Sequence, residues 1–89
     1  MILSKNWGLE IDPDVFKVLK KIPRRRVEVI LEVIKLLPIN PYFGDIRKMK
    51  DAKNVWRRRI GVYRIFYKIN VEIKIILVFK LERRISSTY

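Results

Sequence analysis

Trp56-Arg57-Arg58-Arg59-Ile60-Gly61-Val62-Tyr63-Arg64-Ile65-Phe66-Tyr67 is the stretch on which the fold turns. Strand-forming residues on either side of a single glycine predict two β-strands joined by a tight turn. Strand side chains alternate, so Arg57 and Arg59 share one face, while Trp56, Arg58 and Ile60 share the other. On the next strand Arg64 lies with Val62, Phe66 and Lys68. Tyr63, Ile65, Tyr67 and Ile69 form its apolar face and are assigned to the core. A close pairing at Gly61 then puts Arg57, Arg59 and Arg64 on one open face. Four guanidinium groups fall within the eight residues 57–64. They repel one another, and a polyanion is the simplest reason to gather them.

Downstream, Ile73, Ile75, Leu77, Phe79 and Leu81 alternate with Lys74, Ile76, Val78 and Lys80, which predicts a further strand with one apolar and one mixed face. Asn70 begins the turn that leads into it. On the open side, Lys74 and Lys80 are expected at the edges of the arginine face. Upstream, residues 38–54 read as a polar connection with turn formers Asn40, Gly44 and Asp45 and the basic run Arg47-Lys48-Met49-Lys50. Before it come two helices. Asp12-Pro13 supplies an N-cap and a first-turn proline, and Val15, Phe16, Leu19 and Ile22 mark the buried face of the first helix. After Pro23, the residues Val27, Ile30, Leu31, Ile34 and Leu37 recur at helical spacing. Val29, Val33 and Leu36 widen that stripe, which implies burial on more than one side. Trp7–Ile11 reads as a short first strand. The fold class is therefore α+β: an N-terminal strand, a helix hairpin and an antiparallel meander, with the helices packed on one face of a four-stranded sheet.

Residues 1–89 are expected to form a single domain, since a chain of this length supports one small core. The net charge is +12, from 21 basic and 9 acidic side chains. It is lopsided: residues 43–89 hold 13 basic and 4 acidic groups, net +9. Such an excess points to nucleic acid, an anionic membrane or an acidic protein. The longest apolar run, Ile75–Phe79, is far too short to cross a bilayer, so no membrane partner is expected. The chain has neither cysteine nor histidine. That removes thiolate nucleophiles and the usual metal ligands, suits a reducing cytoplasm, and leads us to expect no metal and no cofactor.

Each charged group also has a plain structural explanation. Edge strands carry Lys and Arg to prevent edge-to-edge pairing, and long basic stems cover apolar surface. Arg58 fits that description, because it sits on the core-facing parity. Arg24-Arg25-Arg26 opposes the dipole of the helix it opens and reads as a solvated run. Lys48 and Lys50 either edge the arginine groove or are ordinary loop charges. Asp12 and Asp14, two apart at a helix start, are a poor basis for paired-carboxylate catalysis.

With these residues identified, the chain resembles the RelE/ParE toxin superfamily, and in particular its RelE-type messenger-RNA interferases. The likeness is carried by Trp56-Arg57-x-Arg59-Ile60-Gly61-x-Tyr63-Arg64-x-x-Tyr67, by the Met49 region, and by Arg83 with Tyr89 near the end. It implies a ribosome-dependent endoribonuclease that cuts messenger RNA in the ribosomal A site, held in check by a cognate acidic, RelB-like antitoxin. It also implies catalytic roles for Arg57, Arg64, Arg83 and Tyr89, with Lys48, Lys50, Arg59 and Arg84 binding RNA. Two residues depart from the pattern. Glu82 stands where many relatives have histidine or a base, and Arg58 replaces an apolar residue.

RNA brings its own nucleophile, the 2′-hydroxyl, so a metal is not needed to cleave it. The protein must align that hydroxyl and stabilise charge on phosphorus. On this expectation Arg57 and Arg64 bind the scissile phosphate, Arg83 stabilises charge or protonates the leaving oxygen, and Tyr89 stacks or acts as base. The scheme requires Arg57, Arg64 and Arg83 to converge on one pocket. Two other readings stay open: a ParE-like toxin that inhibits DNA gyrase and cuts nothing, and a non-catalytic nucleic-acid-binding domain.

Overall fold

The computed structural model describes residues 7–50 and 52–83. Its elements run β1 (Gly8–Ile11), α1 (Pro13–Leu19), α2 (Arg24–Leu36), β2 (Ile46–Lys48), β3 (Val55–Ile60), β4 (Tyr63–Asn70) and β5 (Ile75–Arg83). The turn at Gly61 is as short as the sequence requires. Ile60 pairs with Tyr63, and Gly61 takes a positive φ of 59° that a side chain would strain. The connection from β4 to β5 is closed by Asn70, whose Oδ1 accepts from the amides of Glu72 and Ile73 at 3.1 and 3.3 Å.

The α+β class holds, with one correction. The described residues form a five-stranded sheet in the order β1-β5-β4-β3-β2, rather than four strands. The additional strand, β2, lies inside the stretch expected to be irregular. It pairs antiparallel with β3 at Ile46↔Arg58, Arg47↔Arg57 and Lys48↔Trp56. Three residues with a single apolar member carry no readable period, so the pairing is set by the neighbouring strand. β1 lies parallel to β5 on the far edge.

Both helices cover one face of the sheet. Val15 and Leu19 of α1, with Ile30, Val33 and Ile34 of α2 and Leu37 just beyond it, meet Tyr63, Ile65, Tyr67, Ile69, Ile76, Val78 and Leu81. Each fully buried aliphatic side chain here contributes roughly 1.5–3 kcal/mol. Asp12 caps α1 by accepting from the Asp14 amide at 2.8 Å, which gives that carboxylate a structural task. Phe16, Val29 and Leu36 are exposed, contrary to expectation. α2 therefore buries one stripe only, because among the described residues no second layer covers its outer side.

The expected faces of the last strand are also corrected. Ile76 and Val78 are fully buried, whereas Ile75, Leu77 and Phe79 are only half-buried, and Ile73 lies in the turn, 62% exposed. A register shift explains this: Phe66 pairs with Lys80 but Tyr67 pairs with Val78, leaving Phe79 as an extra residue. Such a bulge exchanges the two faces, so Ile76 and Val78 before it and Leu81 after it all reach the core.

Candidate nucleic-acid interface

The sheet face away from the helices carries the clustered arginines, and strand register arranges them in two rows. Arg59 pairs with Arg64, which pairs with Glu82; Arg47 pairs with Arg57, which pairs with Phe66, which in turn pairs with Lys80. Rows on one sheet face lie about 7 Å apart, and adjacent strands about 4.8 Å apart. Five cationic side chains thus share a surface broad enough for a short run of sugar-phosphate backbone. Arg57 and Arg64 are half-buried, while Arg47, Arg59 and Lys80 are exposed. Asp45, Ile46, Arg47, Arg57 and Arg59 enclose a recess of about 100 Å³.

Two carboxylates order these cations. Glu82 Oε2 accepts from Arg64 Nε at 2.6 Å, and its Oε1 lies 3.5 Å from Lys80 Nζ. Both Arg64 and Glu82 are about 30% exposed, so solvent screens their pair only partly. Asp45 Oδ2 stands 3.9 Å from Arg59 Nη1, a loose contact between two exposed groups, and the Asp45 carbonyl accepts from the Arg59 amide at 2.9 Å. Beside them is an aromatic strip. Lys80 Nζ sits 5.2 Å from the centre of the Phe66 ring, and Phe66 lies 6.4 Å from Phe79. Cations next to accessible rings are what a phosphodiester chain with unstacked bases requires.

The register of β2 is held by Arg58, on the other face. Its Nη1 donates to the Phe43 carbonyl at 3.0 Å, and its guanidinium lies 4.5 Å from the Phe43 ring centre. Gly44, at φ 86°, passes so close that a Cβ there would overlap the guanidinium. Tyr67, fully buried, donates to the Pro41 carbonyl at 2.6 Å, and burial pushes its pKa up to about 12. These bonds anchor the loop at 41–44, which delivers Asp45 and Arg47 to the open face.

The expected site residues divide. Arg57, Arg59 and Arg64 are brought together. Lys48 pairs with Trp56, and so takes the opposite side of the sheet; with Lys50, Met49, Ala52 and Lys53 it lines a separate recess. Arg83 pairs with the buried Tyr63 and lines a cleft with Val18, Lys21, Ile22, Pro23, Arg26 and Val62 on the helix side. It does not converge with Arg57 and Arg64, because neighbouring residues of a strand point to opposite faces and Glu82 takes the open one. Arg84 and Tyr89 lie outside the described residues. Phe66 shares the open face with Arg64 as the alternation predicted, but two residues of that face were missed: Arg47, whose strand has no period to betray it, and Phe79, hidden by the bulge.

Comparison with known proteins agrees with this architecture. A family model described as the ParE toxin of the type II toxin–antitoxin system parDE matches residues 9–85. A Methanocaldococcus jannaschii protein that carries the toxin name RelE1 is 33% identical over 81 residues, 88% of this chain and 90% of that one. The crystal structure of the RelE–RelB complex from Pyrococcus horikoshii contains a chain similar to this one at a TM-score of 0.79 and 27% identity, covering 89% of this chain and 96% of that one. The isolated Escherichia coli RelE toxin shares the fold, with a TM-score of 0.77 at 16% identity over 91% of this chain and 87% of its own. The helix hairpin, the five-stranded sheet and the matched length together mean that the chain belongs to the RelE/ParE toxin superfamily of type II toxin–antitoxin systems.

Proposed function

We propose that this toxin is an endoribonuclease that cuts messenger RNA on the ribosome without a metal, using the RNA's own 2′-hydroxyl. The observation that carries the reading is the pair of cationic rows on the open sheet face, centred on Arg57, Arg59 and Arg64. Guanidinium groups hold non-bridging phosphate oxygens through two parallel hydrogen bonds and stabilise charge as it builds on phosphorus. Arg57 and Arg64 take the scissile phosphate, and Arg59 and Arg47 its neighbours. The sequence-based role for Arg83 is not carried over, since its side chain lies across the sheet. Of the two roles the resemblance suggested for Tyr89, stacking and acting as base, both stay within this reading. The name RelE1 borne by the Methanocaldococcus relative supports the nuclease reading over other members of the superfamily.

The natural inhibitor in this reading is an acidic, RelB-like antitoxin, by analogy with the complex from Pyrococcus horikoshii. A segment rich in Asp and Glu that folds on binding would cover the arginine rows. The site of action is the cytoplasm, where ribosomes and their messages are found.

Two observations favour a second reading. The matching family model is described by ParE, and Glu82 places a negative charge among the arginines. Both suit a toxin that inhibits DNA gyrase. Purified toxin added to programmed ribosomes, and in parallel to a gyrase supercoiling assay, separates the two. The nuclease reading expects message cleavage on ribosomes, slow cutting of naked RNA and undisturbed supercoiling. Blocked supercoiling with intact message installs the other.

A further inference from the structure

The chain has no histidine, so the ribonuclease reading leaves open which group takes the proton from the 2′-hydroxyl. We infer that Glu82 is that general base, an assignment that rests on the reading just given. Glu82 pairs with Arg64 across β4 and β5 and lies on the open face with it. Its placement is fixed from two sides, by Arg64 Nε on Oε2 at 2.6 Å and by Lys80 Nζ near Oε1 at 3.5 Å. An ionised carboxylate offers about four acceptor positions, and these two contacts leave others open. The group is partly exposed and therefore reachable by substrate.

The geometry of Arg64 connects the base to the phosphate. Its Nε is committed to Glu82, which leaves the Nη groups to hold a non-bridging oxygen of the scissile phosphate. One guanidinium then spans the proton acceptor and the reacting phosphorus, the arrangement general-base attack by a 2′-hydroxyl needs. The only other carboxylate described in the cluster, Asp45, is 68% exposed and only loosely engaged with Arg59, so it lacks this fixed placement. In the proposed step the 2′-hydroxyl proton passes to a Glu82 oxygen as the O2′–P bond forms. The P–O5′ bond breaks with its electron pair on O5′, which takes a proton from water. The products are a 2′,3′-cyclic phosphate and a 5′-hydroxyl. Lys80 helps to orient the carboxylate.

The test compares wild type, Glu82→Gln and Glu82→Asp in single-turnover cleavage of message on programmed ribosomes across the stable pH range, with RNA affinity measured alongside. Glutamine keeps the size of the side chain and an acceptor for Arg64 but cannot accept the proton. The expected result is a loss of about 100-fold or more for Glu82→Gln, with RNA affinity unchanged or tighter. The acid limb of the wild-type pH–rate profile should vanish in that variant, and Glu82→Asp should recover part of the rate. Cleavage by Glu82→Gln within threefold of wild type, or faster, with the same pH profile overturns the assignment and makes Glu82 a counter-charge only. A wild-type protein that cuts no message refutes the ribonuclease reading itself, and Glu82 with it.

Discussion

Tyr67 and Arg58 show how much of this site depends on residues that never touch its face. Both hold the loop at 41–44, Tyr67 through the Pro41 carbonyl and Arg58 through that of Phe43. Replacing Arg58 with alanine removes a charge-assisted hydrogen bond and a cation–π contact, a loss of about 2 kcal/mol. Gly44→Ala should cost about 1 kcal/mol or more, because the residue must keep φ 86° beside the Arg58 guanidinium. Chemical denaturation of the two variants checks both values. Tyr67 also makes a pH-dependent contribution. Its pKa rises from about 10 in the unfolded chain to about 12 in the fold. Folding therefore favours the protonated phenol, and this stabilisation is complete below pH 10 and fades as the pH climbs towards 12. Wild type should lose on the order of 2 kcal/mol over that interval that Tyr67→Phe does not lose. Parallel alkaline melting curves for the two proteins would contradict the assignment.

At the scale of elements, the bulge at Phe79 and the short strand β2 decide what lies on the open face. Arg47 belongs to that face only because β2 pairs with β3. Arg47→Ala should therefore weaken RNA binding severalfold and lower its salt dependence by about one unit of slope, while leaving thermal stability nearly unchanged. An unaltered slope would remove Arg47 from the interface. The hairpin around Gly61 was legible in the sequence, because strict alternation on β4 leaves only one buried face, Tyr63, Ile65, Tyr67 and Ile69. The faces of β5 were not legible, since a run as apolar as Ile75–Phe79 hides both its parity and the extra residue. Likewise the exposure of Val29 and Leu36 depends on what fails to pack against α2, which helical spacing alone does not reveal. Arg57, Arg59 and Arg64 were placed correctly by alternation. Arg83 was assigned by likeness to a family rather than by parity, and parity sends it to the helix side.

For the whole molecule, the helices and the arginines divide the sheet between them. One face is spent on the core, which frees the other to hold charges that a two-sided core would exclude. Among the described residues, β2 to β5 supply every cation of the open face. The most direct measurement is single-turnover cleavage of message on programmed ribosomes by Arg57→Ala, Arg59→Ala, Arg64→Ala and Arg83→Ala, with the exposed Arg24→Ala as control. Arg57→Ala and Arg64→Ala should each lose about 100-fold or more, Arg59→Ala less, Arg83→Ala only a few-fold, and Arg24→Ala nothing. Full activity in Arg57→Ala and Arg64→Ala, with a large loss in Arg83→Ala, would contradict the account and move the chemistry to the cleft beneath the helices.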